Sequence, residues 1–131
     1  MKILIAEDDL ASRKFLYKIL SQYGDCDLTV NGIEAVEAFL TAWDLKAPYD
    51  LICLDIMMPK VDGIKALKAI RDLEKQKGVQ EPDRAKVIMI TALNDTESVF
   101  SSFQTGCEAY AAKPIDTEKL IEVIKDLGLN V

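Results

Sequence analysis

Leu51-Ile-Cys-Leu-Asp-Ile-Met-Met-Pro-Lys-Val-Asp-Gly63 runs four apolar residues straight into a carboxylate, Asp55, then adds two methionines, a proline and an Asp-Gly pair. An apolar run without alternation predicts a strand buried on both faces, as in a parallel sheet. Such a strand delivers Asp55 to its C-terminal end, the edge at which open α/β sheets bind ligands. The fold and the chemistry of the chain both turn on that placement.

On the N-terminal side, Lys2–Ala6 reads as a first buried strand, followed by Glu7, Asp8 and Asp9. Leu10, Phe15, Leu16, Ile19, Leu20 and Tyr23 recur at helical spacing, and Gly24 supplies the stop. A short strand over Cys26–Val30 and a turn at Asn31-Gly32 precede a second helix marked by Ile33, Val36, Ala38, Phe39 and Leu40. Pro48 ends the connection to the Asp55 strand.

On the C-terminal side, Pro59 and Asp62-Gly63 shape a loop before a third helix bearing Ile64, Leu67, Ala69, Ile70 and Leu73. Glu74–Lys86 is polar, with Gly78 and Pro82, and predicts a helix end followed by a solvated loop. Val87–Ile90 is a fourth buried run ending at Thr91. A fourth helix is expected from Asn94 or Asp95 to Thr105, with Val99, Phe100 and Phe103 facing inward and Gly106 after it. Cys107–Ala112 forms a fifth strand ending at Lys113-Pro114, and Asp116 caps a last helix with Leu120, Ile121, Ile124 and Leu127. Five βα units in one chain call for an α/β fold, a parallel sheet covered by helices on both faces. Residues 1–131 are expected to form one domain.

Composition narrows the function. Half of the 131 residues are hydrophobic and 29% are charged, as in globular proteins. No apolar run approaches the roughly 20 residues that span a bilayer. The N-terminus turns acidic too early for a signal peptide, so a cytoplasmic location is expected. A net charge of −6 argues against binding nucleic acid through a basic face. Cys26, Cys53 and Cys107 form no CxxC pair and read as small buried thiols. The absence of histidine removes His-based acid–base chemistry and His–metal sites.

Every apolar strand run except the second ends at a conspicuous polar residue: Asp8 and Asp9, Asp55, Thr91, Lys113. Parallel strands bring these five residues to one edge. Singly, each has an ordinary explanation: a helix cap for Asp8 and Asp9, a strand threonine for Thr91, a surface lysine for Lys113. Together they form a coherent set. Three carboxylates in one cleft repel one another and require a cation. With no histidine or cysteine beside them the ion indicated is hard, and Mg²⁺ takes carboxylates, water and a phosphate oxygen. Lys113 adds a positive charge for a phosphoryl group, Thr91 a hydroxyl donor, and Asp55 a carboxylate nucleophile that can form an aspartyl phosphate.

Five motifs occur in order across essentially the whole chain: Glu7-Asp8-Asp9, Asp55-Ile-Met-Met-Pro59 with Asp62-Gly63, Thr91-Ala92, and Tyr110-Ala-Ala-Lys113-Pro114. In these the chain resembles the response-regulator receiver domains, of which the bacterial chemotaxis response regulator is one. The resemblance implies a flavodoxin-like (βα)5 doubly wound fold with strand order 2-1-3-4-5. It implies that Asp55 takes a phosphoryl group from a histidine kinase or a histidine phosphotransfer protein. It implies Mg²⁺ held by Asp9 and Asp55 directly, by Asp8 through water, and by the Met57 carbonyl. Lys113 would pair with the phosphoryl group, with a cis bond to Pro114. Thr91 and Tyr110 would be the switch residues, and residues 94–127 the output surface.

Other features are particular to this chain. Met57 and Leu93 flank the expected phosphoryl position, and neither side chain can orient an attacking water. Slow autodephosphorylation is therefore expected. Lys75–Lys86 is longer than the usual connection in such domains, as a surface insertion or a partner contact. Trp43 falls late in the second helix, far from Asp55. A phosphatase built on an aspartate nucleophile usually carries a second Asp two residues on, where this chain has Met57. A flavodoxin-like cofactor binder needs a Ser/Thr/Gly-rich loop after the first strand, where this chain is acidic. A receiver-like module independent of phosphorylation would not need the intact acidic set. The chain stops just after its last helix, consistent with a single-domain or an excised receiver.

Overall fold

Each α-helix among the described residues starts where an Asp or Asn side chain accepts a backbone N–H that the first turn leaves unpaired. Asp9 accepts from Ser12, Asn31 from Glu34, Asp62 from Lys65, Asp95 from Ser98 and Asp116 from Lys119. The computed structural model describes residues 1–92 and 94–131. Its elements run β1 (Lys2–Ala6), α1 (Leu10–Leu20), β2 (Asp25–Thr29), α2 (Gly32–Asp44), β3 (Leu51–Asp55), α3 (Gly63–Gln76), a 3₁₀ turn (Glu81–Asp83), β4 (Lys86–Thr91), α4 (Thr96–Thr105), β5 (Ala109–Ala112) and α5 (Thr117–Asp126). The strands are parallel in the order β2-β1-β3-β4-β5, the expected doubly wound topology.

Strand alternation sorts the core into two layers. Leu4, Ala6, Ile52, Leu54, Val87 and Met89 pack beneath α2 and α3. Ile3, Ile5, Leu51, Cys53, Ile88 and Ile90 pack beneath α1 and α5. β3, in the middle, is buried at all five positions, as its unbroken apolar run requires. β2 lies at a sheet edge, where Asp25 and Asp27 suit exposure.

Several local readings are corrected. Asn31-Gly32 and Asp62-Gly63 are helix starts, not free turns. Gly32 and Gly63 are needed for close approach: an added Cβ would sit 2.2 Å from the Val61 carbonyl oxygen and 2.2 Å from that of Asp55. Gly63 thus seats α3 directly on the backbone of Asp55. β5 begins two residues later than expected, because the Cys107 N–H closes the end of α4 on the Ser102 carbonyl. Phe100 and Phe103 do not face inward; they are 65% and 45% exposed, and Ser102 is the one fully buried residue of α4. Leu10 and Phe15 on α1 and Ile33 on α2 are exposed as well. Helical spacing identifies a stripe but not what covers it. Cys53 and Cys107 are buried and Cys26 half-buried. Trp43 lies in the last turn of α2, stacked on Phe39 and beneath the Lys77 ammonium.

The polar stretch after α3 is stapled to the sheet by a buried ion-pair network. Arg71 is 2.6 Å from Glu74 Oε1 and 2.6 Å from Glu108 Oε1. Its guanidinium also donates to the Gly106 and Ala85 carbonyls. Glu74 accepts from the Ala85 N–H, and Glu108 from the Val87 N–H. One side chain therefore ties α3 to the entry of β4 and to the α4–β5 connection. Removing it strands two carboxylates in a low-dielectric site, a loss of about 3–5 kcal/mol. Arg71→Met should lower the unfolding free energy by that amount in urea titrations, and a loss below about 1 kcal/mol would contradict the network's structural weight.

Candidate functional site

The carboxyl edge of the sheet gathers β1, β3, β4 and β5 around Asp55. Asp55 is almost fully buried; Oδ2 is 2.7 Å from Lys113 Nζ, and Oδ1 accepts the Met57 N–H at 3.1 Å. The same ammonium lies 2.7 Å from Glu7 Oε1, a buried atom with no aligned hydrogen bond besides that ion pair. Carboxylate oxygens of Glu7, Asp8 and Asp55 all come within 4.8 Å of one another. Lys113 is held in register by its N–H donating to the Thr91 carbonyl at 2.8 Å, and its bond to Pro114 is cis.

Asp8, Asp55, Thr91 and Lys113 are brought together as the strand ends predicted. Asp9 is not. Its carboxylate caps α1 on the Ser12 N–H at 2.9 Å, and Glu7 takes its place in the cluster. The cause is strand length. The β ladder continues one residue past Ala6, with the Glu7 N–H donating to the Thr29 carbonyl. Glu7 therefore shares the face of Ile3 and Ile5 and lies one rung beyond the Ala6–Leu54 pair, level with Asp55. Counting alternation from Ile3 would have singled it out. Arg13 was also missed; its guanidinium binds the Glu7 and Asp8 carbonyls at 2.9 and 3.2 Å and fixes the acidic loop from behind.

Electrostatics follow from this crowding. Burial first, then a hydrogen bond with Asp55, pushes the Glu7 carboxyl up to about 7 against the pull of Lys113. Burial would lower Lys113, but the hydrogen bonds it donates to Asp55 and Glu7 outweigh it and hold the ammonium above its usual value. Asp9 is lowered by the Ser12 N–H it caps. The cluster carries more negative charge than one lysine neutralises, and its donors are hard oxygens, a set that fits Mg²⁺.

Thr91 is buried at the end of β4. A cavity of about 430 Å³ runs from it past Ala92 to Phe103 and Tyr110. Tyr110 is 47% exposed, its ring edge-on to Phe103 at 6.1 Å. Met57 points to solvent, 71% exposed. Leu93, the other expected flank, lies outside the described residues.

A five-stranded parallel sheet in the order 2-1-3-4-5, with an acid cluster and a lysine at its carboxyl edge, is the arrangement the sequence resemblance implied. The family model for the response regulator receiver domain matches residues 3–125, and the chain belongs to that family, a module of two-component phosphorelay signalling. It is 33% identical to the chemotaxis protein CheY of Treponema pallidum, over 94% of this chain and 79% of the relative. It is 35% identical to hybrid signal transduction histidine kinase B of Dictyostelium discoideum, over 95% of this chain but 6% of that protein. Among solved structures it superposes on the CheX–CheY–BeF3–Mg complex of Borrelia burgdorferi with TM-score 0.84 and 28% identity, covering 99% of this chain and 90% of that one. It superposes with TM-score 0.82 and 27% identity on the complex of the Saccharomyces cerevisiae phosphotransfer protein Ypd1 with the Ssk1 receiver domain, covering 100% and 92%. Among the described residues no helix is long and apolar enough to cross a membrane.

The raised Glu7 carboxyl has a stability consequence. Folded, it titrates near 7; free, near 4.5. The folded state keeps the proton across that window, so with Mg²⁺ chelated this group makes the fold progressively less stable as pH rises from about 4.5 to about 7. Glu7→Gln should flatten that part of the profile in thermal melts with EDTA. Parallel wild-type and Glu7→Gln profiles would contradict it.

Proposed function

We propose that Asp55 accepts a phosphoryl group from the phosphohistidine of a histidine kinase or histidine phosphotransfer protein, and that the domain signals through the face formed by residues 94–127. The observation that carries the reading is the Lys113 ammonium seated 2.7 Å from the Asp55 carboxylate beside two further acids. One Asp55 oxygen forms the new O–P bond as the donor N–P bond breaks. The electron pair stays on the imidazole nitrogen, which takes a proton from solvent. Lys113 neutralises the transferred group, and positioning supplies most of the acceleration. Glu7, Asp8, Asp55 and the Met57 carbonyl would hold Mg²⁺, which when bound offsets charge on the phosphoryl oxygens.

An apolar hollow of about 660 Å³ opens beside the site, walled by Ala11, Phe15, Ala92, Pro114 and Ile115. It supports docking of a phosphodonor helix next to Asp55. Thr91 would bond the phosphoryl group, and the cavity joining it to Tyr110 gives the ring room to change rotamer. The domain, residues 1–131, would act on itself only, in the cytoplasm, without contacting nucleic acid. The insertion after α3 is stapled by Arg71 and fits a structural role.

Acetyl phosphate with Mg²⁺ should add one phosphoryl mass to the wild type and none to Asp55→Asn; equal labelling of the two would end the phosphoacceptor reading. Met57 offers no polar side chain to orient a water, so the phosphoryl group should outlast seconds. Polar residues at 57 and 93 should shorten its lifetime by about tenfold, and a wild-type half-life of seconds would refute this.

A further inference from the structure

Resting on that reading of the output face, we infer that the face receives a basic amphipathic helix of a partner protein. Phe100, Phe103 and Tyr110 expose large rings where α4, β5 and α5 meet. The Phe103–Tyr110 pair divides two hollows. One, of about 430 Å³, is bounded by Val99 and Asp95. The other, of about 290 Å³, is bounded by Val123 and Leu127 with Glu108 and Asp126 at its rim. Two apolar hollows beside one aromatic ridge suit apolar side chains from successive turns of a helix.

The rim decides the charge of the occupant. No lysine or arginine occurs from Asn94 to Glu108. Asn94–Leu127 holds seven acidic side chains against three lysines, a net −4 within a chain of net −6; Lys113 is committed to Asp55 and Glu108 to Arg71, which leaves that balance unchanged. A helix with Lys or Arg beside its apolar stripe is complementary to Asp95 and Asp126, Glu108 being already paired with Arg71; an acidic helix, or a second copy of this face, is repelled. Strand addition is disfavoured, since β5 offers an edge of four residues followed at once by Lys113-Pro114.

Two labelled helical peptides with the same leucine stripe, one flanked by lysines and one by glutamates, test this by fluorescence anisotropy against the beryllofluoride- and Mg²⁺-treated chain. The lysine peptide should bind about tenfold tighter at low salt, lose that advantage as NaCl rises, and shift amide resonances of residues 95–110 and 123–127. Asp126→Lys should reduce the preference severalfold. No binding of the lysine peptide at millimolar concentration, equal binding of both, shifts confined to α1 and Pro114, or self-association through this face would each overturn the inference. The same samples are assayed for phosphoryl mass gain. Normal labelling with no lysine preference rejects the partner chemistry alone, whereas absent labelling rejects the phosphoacceptor reading beneath it.

Discussion

A single ammonium group between two buried carboxylates organises the carboxyl edge of this sheet. Lys113 reaches Asp55 and Glu7 at 2.7 Å each, and it arrives there because its N–H is pinned to the Thr91 carbonyl. β3 can end in a nearly fully buried acid only because that positive charge waits for it. Asp8 at the mouth leaves the cluster over-supplied with negative charge, a set of hard oxygens that could hold a cation.

The two ends of the sheet are built on opposite principles. At the far end the Arg71 network pairs its buried polar atoms and ties α3, the entry of β4 and the α4–β5 connection into one unit. At the carboxyl end the charges are unbalanced and the neighbouring packing is thin. α4 buries only Ser102 completely, and a cavity separates Thr91 from Tyr110. α4 is thus anchored near its C-terminus and loosely packed along the rest of its length.

Much of this was legible in the chain. The unbroken apolar runs led to a parallel sheet, and each run pointed its terminal polar residue at one edge. Asp55, Asp8, Thr91 and Lys113 could be grouped on that basis. The error at Glu7 and Asp9 came from the one quantity that composition leaves loose, the last residue of a strand. With three acids in succession, a one-residue change exchanges the buried face for the helix cap. The inward assignment of Phe100 and Phe103 failed because a helical stripe states a preference for burial, and among the described residues the packing on α4 leaves both rings largely exposed.

Local patterning and side-chain type were enough to set the order of elements, the caps at Asp9 and Asp116 and the grouping of Asp8, Asp55, Thr91 and Lys113 at one sheet edge. That Glu7 faces Lys113, that Arg13 braces the acidic loop from α1, that Gly63 lets α3 rest on Asp55, and that Arg71 joins segments as far apart as Ala85 and Gly106 emerges only from the folded packing. These contacts link positions far apart in the chain, and their distances are set by strand register and helix packing, which exist only once the sheet has closed.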